Sequence, residues 1–267
     1  MPAHRHDQRW KALWEDFLAA HRAVAATSPR PATDPPGTAH ALVCGGDLPA
    51  ALRPSLLPSP LGLISPLVPD RRVTVTVAGE LTCADRAWWR DQQILAVPSC
   101  GSAAEILIGL GSILAEDPGA VAVIVPWSLR VKDPDPIYDS LAIGYLMAAQ
   151  PDAPIVTLTG TGGETGAVIA SGQILLERAY HRLPGLVRLV VYAASLPARD
   201  RRRFLGESMP AISRELDFWT SIVAGLPNTT DLPLPARAGW HMVDERDGAR
   251  PWPATRRSSL AGASMPN

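Results

Sequence analysis

Short runs of apolar and β-branched residues, separated by polar or glycine-containing turns, recur along the chain from residue 39 onward. The clearest runs are Ala41–Cys44, Val73–Ala78, Val121–Val125 and Ile155–Leu158, with a shorter one at Ile94–Val97. Runs of this length with no exposed face predict buried strands, because the strands of a parallel sheet are covered on both sides.

Segments with helical periodicity separate these runs. Ala103–Ala115 places its large apolar residues on one side, and Ser102 is its candidate N-cap. Asp135–Ala149 and Ala84–Gln93 predict two more helices. The alternation predicts an α/β fold with a Rossmann-like, mixed but mostly parallel sheet flanked by helices. Ligands of such sheets bind at the carboxyl ends of the strands.

The pattern is less regular elsewhere. Five prolines between residues 54 and 69 predict an irregular loop over 50–69. After Gly166, the segments Val168–Leu175 and Leu186–Tyr192 are strand-like, and Ala198–Phe218 is helical.

Three domains or segments are predicted. Residues 1–38 hold an amphipathic helix (8–27) and a Pro-rich linker, residues 39–225 form the α/β domain, and residues 226–267 form a Pro-rich, irregular and partly disordered tail. Trp10, Trp14 and Phe17 share one stripe of the N-terminal helix. This stripe is expected to pack on its own domain, with a protein partner or a second copy as the alternative.

The composition of the chain excludes several classes of protein. With 46% hydrophobic and 19% charged residues and a net charge of −1, the chain is expected to be a soluble globular protein that does not bind nucleic acid. No apolar run approaches the roughly 20 residues of a membrane span, and the N-terminus lacks a signal-peptide core, so a cytoplasmic location is expected. Three cysteines without CxxC spacing predict neither a disulfide framework nor a zinc site.

Four segments, in order, carry a family resemblance. Gly45–Pro54 fits G-G-x-G-T-R-L-x-P with one inserted residue, and Ser99–Ile106 fits N-R-G-T-A-P-A-I. The segment from Pro126 to Asp133 fits P-S/A-D-H followed by V-x-D, and Gly163–Ile169 fits P-E-T-G-Y-G-Y-I, one residue short. Together they resemble the mannose-1-phosphate guanylyltransferase branch of the sugar-nucleotidyltransferases, with another Rossmann-like family as the alternative.

The resemblance implies a nucleotide and sugar site at the carboxyl edge of the sheet, with a nucleotide or nucleotide sugar as ligand. Its members in this sequence, all taken as vestigial, are Gly45, Gly46, Arg53, Gly101, Ser102, Ser128, Glu164, Thr165 and Gly166. Gly239-Trp240-His241 is similar to the family's later G-W-S-D.

Three departures from the family argue against catalysis. The phosphate-binding Gly-Thr-Arg is replaced by Leu48–Ala51, and Asp-His after the third apolar strand is replaced by Ser128-Leu129. The family's lysines have no counterpart, because Lys11 and Lys132 are the only lysines of the chain. Nucleotidyl transfer depends on a metal and on cations over the phosphates, so the sequence predicts a non-catalytic protein without cofactor or metal site. It is expected to act by binding a ligand or by regulating or scaffolding a partner.

Two alternatives stay open. One is an active sugar-1-phosphate nucleotidyltransferase that uses Mg²⁺, with Arg53, Asp133 or Asp244 in rearranged roles. The other is an assembly module that acts through its N-terminal helix.

Overall fold

The computed structural model describes most of the region between residues 38 and 242. The described residues are 38–46, 58–64, 67–79, 81, 92–97, 101–131, 133–150, 153–160, 165–208, 223, 229–234 and 241–242. The predicted N-terminal helix over 8–27 lies outside them. So do the predicted helix over 84–93, except for Gln92 and Gln93, and residues 209–218 of the helix predicted to end at Phe218.

A seven-stranded sheet forms the centre of the molecule. Its strands are β1 (Ala39–Cys44), β2 (Val73–Ala78), β3 (Gln93–Val97), β4 (Val121–Pro126), β6 (Ile155–Thr159), β7 (Thr165–Ser171) and β8 (Thr229–Pro233). Their order in space is β3-β2-β1-β4-β7-β6-β8. Only β7 runs antiparallel to its neighbours, β4 and β6. The predicted α/β class with a mixed, mostly parallel sheet is confirmed.

Two very short strands, β5 (Leu129–Arg130) and β9 (His241–Met242), form a separate antiparallel pair. The helices are α1 (Pro58–Ile64), α2 (Gly101–Glu116), α3 (Asp135–Ala148), α4 (Gly172–Arg182), α5 (Pro184–Ser195) and α6 (Ala198–Ser208). The prediction over 103–115 is confirmed by α2, although the helix begins at Gly101, so that Ser102 lies in its first turn rather than at the cap. No helix in the described part of the chain is long and apolar enough to cross a membrane.

The two faces of the sheet carry separate layers of helices. Leu42 and Ile124 point towards α2, α4, α5 and α6, whereas Val43 and Val125 point towards α1 and α3. All four side chains have an exposed fraction of 0%. The uninterrupted apolar sequence of β1 and β4 follows from this double coverage.

The prediction of a strand at Leu186–Tyr192 is wrong, since these residues belong to α5. Pro184 can occupy the first turn of a helix, where it removes no intrahelical hydrogen bond. Leu186, Val187, Val190 and Ala193 then recur at helical spacing and are buried. Burial of this stripe against α2 outweighs the β preference of its valines.

Three further predictions are corrected. The strand expected over Val168–Leu175 ends at Ser171, and α4 begins at Gly172. The loop expected over 50–69 contains α1, whose Pro58 and Pro60 lie in its first turn, where proline is tolerated. The tail expected to be irregular over 226–267 contributes β8 to the sheet, because backbone pairing with β6 compensates for the weak local pattern.

The end of α5 is fixed by a cation from α6. Arg201 donates hydrogen bonds to the carbonyl oxygens of Ala193 at 3.1 Å, Ala194 at 3.2 Å and Leu196 at 3.3 Å. A guanidinium in this position satisfies terminal carbonyls and complements the negative end of the helix dipole. The contact holds α6 against α5, on the face of the sheet that carries α2.

Candidate functional site

The turns that follow β1 and β4 lie side by side at the carboxyl edge of the sheet. Cys44 and Pro126, the last residues of the two strands, are register partners. Immediately beyond them, the Trp127 backbone N–H donates to the Cys44 carbonyl at 3.0 Å. The pairing places the Gly45-Gly46 turn next to the Trp127-Ser128 turn.

Other residues of the proposed vestigial site lie at the same edge. Because β7 runs antiparallel, its first residues, Thr165 and Gly166, lie where β6 ends, and Thr165 is the register partner of Thr159. Gly101, with φ of 75°, and Ser102 open α2, which follows β3 along the chain. Arg53 and Glu164 lie outside the described residues, so their part in the site stays a prediction.

The glycine turn is held tightly against β2. The Gly45 N–H donates to the Thr76 carbonyl at 2.8 Å, and the Gly46 carbonyl accepts from the Ala78 N–H at 2.9 Å. A Cβ atom at Gly45 would overlap the Thr76 carbonyl oxygen. Gly46 has a φ of +54°, which residues other than glycine rarely adopt. Both glycines are therefore required by the backbone of the turn.

A buried carboxylate binds this turn from α2. Glu105 is 6% exposed, and its Oε1 accepts a hydrogen bond from the Gly46 N–H at 2.8 Å. The same oxygen accepts from the Thr76 hydroxyl at 2.7 Å. Burial of a carboxylate is costly without donors of this kind, and both donors come from the sheet edge.

The Trp127 side chain lies next to the glycine turn. Its Nε1 lies 3.6 Å from the position that a Cβ atom on Gly46 would occupy, and the residue is 8% exposed. The Glu105 carboxylate and the Trp127 indole are therefore both neighbours of Gly46, whose N–H is occupied by Glu105.

Cys44 lies directly below the turn and is fully enclosed. Burial raises the pKa of its thiol well above the ordinary value, and the charge of Glu105 raises it further, against a smaller lowering by the hydrogen bond with Thr76. A thiol in this state is not a nucleophile at neutral pH. Cys44 therefore has the properties of a core residue.

The segment that replaces the family's Asp-His is mostly buried. Ser128 is 4% exposed and Leu129 is 2% exposed. Asp133, considered above for a rearranged role, accepts a hydrogen bond from the Asp135 N–H at 3.3 Å and so binds the first turn of α3. Within the described ranges, no group of three His, Cys, Asp or Glu side chains could hold a metal ion. Asp244 lies outside those ranges.

Arg130, which follows in β5, is the cation nearest to Trp127 along the chain. Its Nη1 donates to the Trp127 carbonyl at 2.7 Å and to the Leu129 carbonyl at 2.9 Å. Desolvation by burial lowers the pKa of the guanidinium from its ordinary value.

Sequence reasoning did not identify Glu105 or Arg130 as site residues. Glu105 could have been noticed as the one charged residue among apolar and small neighbours between Ala103 and Leu114. Its buried position on α2 follows from that surrounding sequence. Arg130 carried no comparable signal, since an arginine after a strand is common in a solvated loop.

The fold is Rossmann-like, with a mixed, mostly parallel sheet flanked by helices. It is shared by the mannose-1-phosphate geranyltransferase from Thermus thermophilus, with a TM-score of 0.59 and 15% identity over 76% of this chain and 75% of that one. The mannose-6-phosphate isomerase from Helicobacter pylori is similar with a TM-score of 0.57 and 9% identity, over 76% of this chain and 99% of that one. No protein-family model and no curated protein matches the sequence.

Proposed function

We propose that this protein is a non-catalytic relative of the sugar nucleotidyltransferases and acts by binding rather than by nucleotidyl transfer. The observation that carries the proposal is the hydrogen bond from the Gly46 N–H to the Glu105 carboxylate, at 2.8 Å. The backbone N–H groups of glycine turns at the carboxyl edge of α/β sheets are where nucleotide phosphates bind. Here the Gly46 N–H donates instead to the Glu105 carboxylate of the same chain.

The charge of Glu105 also opposes any phosphate that approaches the turn. Two unit negative charges about 4 Å apart repel each other by about 4 kcal/mol at an effective dielectric constant of about 20. Such a repulsion corresponds to about a thousandfold loss in affinity. A triphosphate therefore has to displace a buried, doubly hydrogen-bonded carboxylate before the turn can hold it.

The residues after β4 support the same conclusion. The family's metal-binding Asp-His is replaced by Ser128-Leu129, and the side chain of Leu129 is buried and offers no ligand atom. The Trp127 indole lies next to Gly46. Loss of metal ligands and phosphate cations costs several kcal/mol of transition-state stabilisation each.

The names of the two structural neighbours indicate which ligands to test first. Both names contain a mannose phosphate, mannose 1-phosphate in one and mannose 6-phosphate in the other. We infer that a sugar phosphate is the first ligand class to test at this edge of the sheet.

The test is pyrophosphate release from nucleoside triphosphates and sugar 1-phosphates, mannose 1-phosphate included, with and without Mg²⁺. We expect release no faster than in a heat-inactivated sample. Magnesium-dependent release that scales with protein concentration and is lost in Arg53→Ala would overturn the proposal and favour the active-enzyme alternative. Arg53→Lys, which keeps the charge, is the matched variant for that outcome.

A further inference from the structure

Arg130 is a partly buried cation whose hydrogen bonding is incomplete. Its Nη1 donates to two backbone carbonyls, those of Trp127 and Leu129. Its Nη2 is buried, and no described residue accepts a hydrogen bond from it. Buried donors in native proteins are nearly always paired, so this nitrogen calls for an acceptor that the described residues do not supply.

The surroundings of Arg130 contain no compensating negative charge among the described residues. Desolvation by burial is the cause of its lowered pKa, and no carboxylate opposes the effect. The carbonyls that it contacts are neutral acceptors, which form weaker hydrogen bonds to a guanidinium than an anionic oxygen does. An anion that reached Arg130 would therefore replace weaker partners with stronger ones.

Arg130 lies at the carboxyl edge of the sheet, in β5, which directly follows β4. The Trp127 indole lies against Gly46, whose N–H is bound by Glu105, whereas the Trp127 carbonyl is bound by Arg130. The negative group thus closes the glycine turn, and the positive group lies three residues beyond Trp127 along the chain. An anionic ligand at this edge is repelled from the first position and attracted to the second.

We propose that Arg130 binds the phosphate group of a phosphate monoester, such as a sugar phosphate, at this edge. The planar guanidinium presents two parallel N–H groups that match two oxygens of such a group. Arg130 is only partly buried, so part of its side chain faces solvent. The inference rests on the proposed binding role of the site, but its test does not depend on turnover.

The experiment is isothermal titration of the full chain with inorganic phosphate, mannose 1-phosphate and uncharged mannose. We expect both phosphates to bind and mannose not to bind at the same concentrations. Arg130→Gln should weaken binding of mannose 1-phosphate at least tenfold, and Arg130→Lys should retain part of it, because lysine keeps the charge but loses the paired donors. Inorganic phosphate that binds as tightly as mannose 1-phosphate would show that the phosphate group alone is recognised.

The matched control is Arg203→Gln, on the exposed surface of α6, where Arg203 pairs with Glu207 at 2.9 Å. It removes one positive charge from the molecule and should leave phosphate binding unchanged. Equal weakening by Arg203→Gln and Arg130→Gln would indicate a general charge effect and overturn the proposal. Absence of phosphate binding by the wild-type chain would overturn it as well.

A second measurement covers the case in which Arg130→Gln is too unstable to titrate. If the acceptor of Nη2 is a carboxylate of the chain itself, Asp244 being the nearest acidic residue after β9, then Asp244→Asn should destabilise the fold as Arg130→Lys does. The double variant would then be no less stable than either single variant, and the ligand proposal would be wrong. Additive effects, together with phosphate binding weakened in Arg130→Lys, would support it.

Discussion

The side chain of Glu105 and the backbone N–H of Gly46 are joined by a hydrogen bond of 2.8 Å, across 59 positions of sequence. This contact connects α2 to the turn after β1, and Thr76 on β2 donates to the same oxygen. Three elements of the carboxyl edge are therefore bound together by one carboxylate, at the edge where open α/β sheets bind their ligands.

Glu105→Gln should open the glycine turn to anions. Glutamine keeps an oxygen that can accept from Gly46 and Thr76 but removes the negative charge, so pyrophosphate should bind on the order of 1,000-fold more tightly than to the wild type. Titration calorimetry measures this. Glu116→Gln makes the same change at an exposed position of α2 and should have no effect. Unchanged pyrophosphate affinity in Glu105→Gln would show that the charge of Glu105 does not repel anions from the turn.

Cys44 should resist alkylation in the native protein. Burial and the charge of Glu105 both raise the pKa of its thiol, so the thiolate that reacts with iodoacetamide is scarce at pH 8. Peptide mass spectrometry after brief labelling should find Cys44 unmodified in the folded chain and modified in urea. Rapid labelling of Cys44 in the folded chain would contradict the enclosure described here.

The stability of the protein should decrease between pH 7.5 and pH 5.5, in part because of His40. Desolvation by burial lowers the pKa of His40, although its hydrogen bond to Asp117, at 3.2 Å, acts in the opposite direction. The unfolded chain, with a His pKa near 6.5, then binds more protons than the folded chain as the pH falls through that value, and unfolding is favoured. Below the folded pKa both states are protonated, so this loss becomes constant.

Urea denaturation at several pH values measures the effect of His40. In His40→Asn the free energy of unfolding should depend less steeply on pH between 7.5 and 5.5 than in the wild type. His181→Asn, on the exposed end of α4, is the control and should keep the wild-type slope. A slope that is the same in all three proteins would show that His40 does not contribute.

Gly45→Ala should destabilise the fold by about 1–3 kcal/mol, because the added methyl group overlaps the Thr76 carbonyl oxygen in a turn that cannot move away. Gly185→Ala, where no atom lies within 4 Å of the added group, should be neutral or slightly stabilising in α5. Thermal denaturation of the two variants separates a steric requirement from a general effect of replacing glycine. Similar melting temperatures would contradict the tight packing of the turn.

Much of the fold could be predicted because the sheet is buried on both faces. β1, β2, β4 and β6 are short, almost purely apolar or β-branched runs, and such runs have few alternatives in a chain of this size. The segment 186–192 is wrongly predicted to be a strand for the same reason, since its valines and leucines are as apolar as those of the true strands. Packing against α2 stabilises this segment as a helix, and that contact is not local in sequence.

The position of the glycine turn could be predicted from the sequence, but the side-chain contacts of the candidate site could not. Gly45 and Gly46 follow a predicted strand, so their place at the sheet edge follows from the order of the elements. The contact of Glu105 with Gly46 depends on which turn of α2 faces β1, and a single sequence does not encode that rotation in any local pattern. The incomplete bonding of Arg130 depends similarly on how its side chain folds back onto the Trp127 carbonyl.

The position of β8 at the edge of the sheet affects folding of the chain during translation. It joins the sheet beside β6 from residues 229–233, after α4, α5 and α6 have been synthesised. Until those residues leave the ribosome, the outer edge of β6 has no partner from β8, and an open strand edge can pair with another nascent chain. Translation that stalls or stops between residues 208 and 229 would therefore yield chains in which this edge of β6 is unpaired. Protein quality control should recognise such chains more readily than chains extended past Pro233.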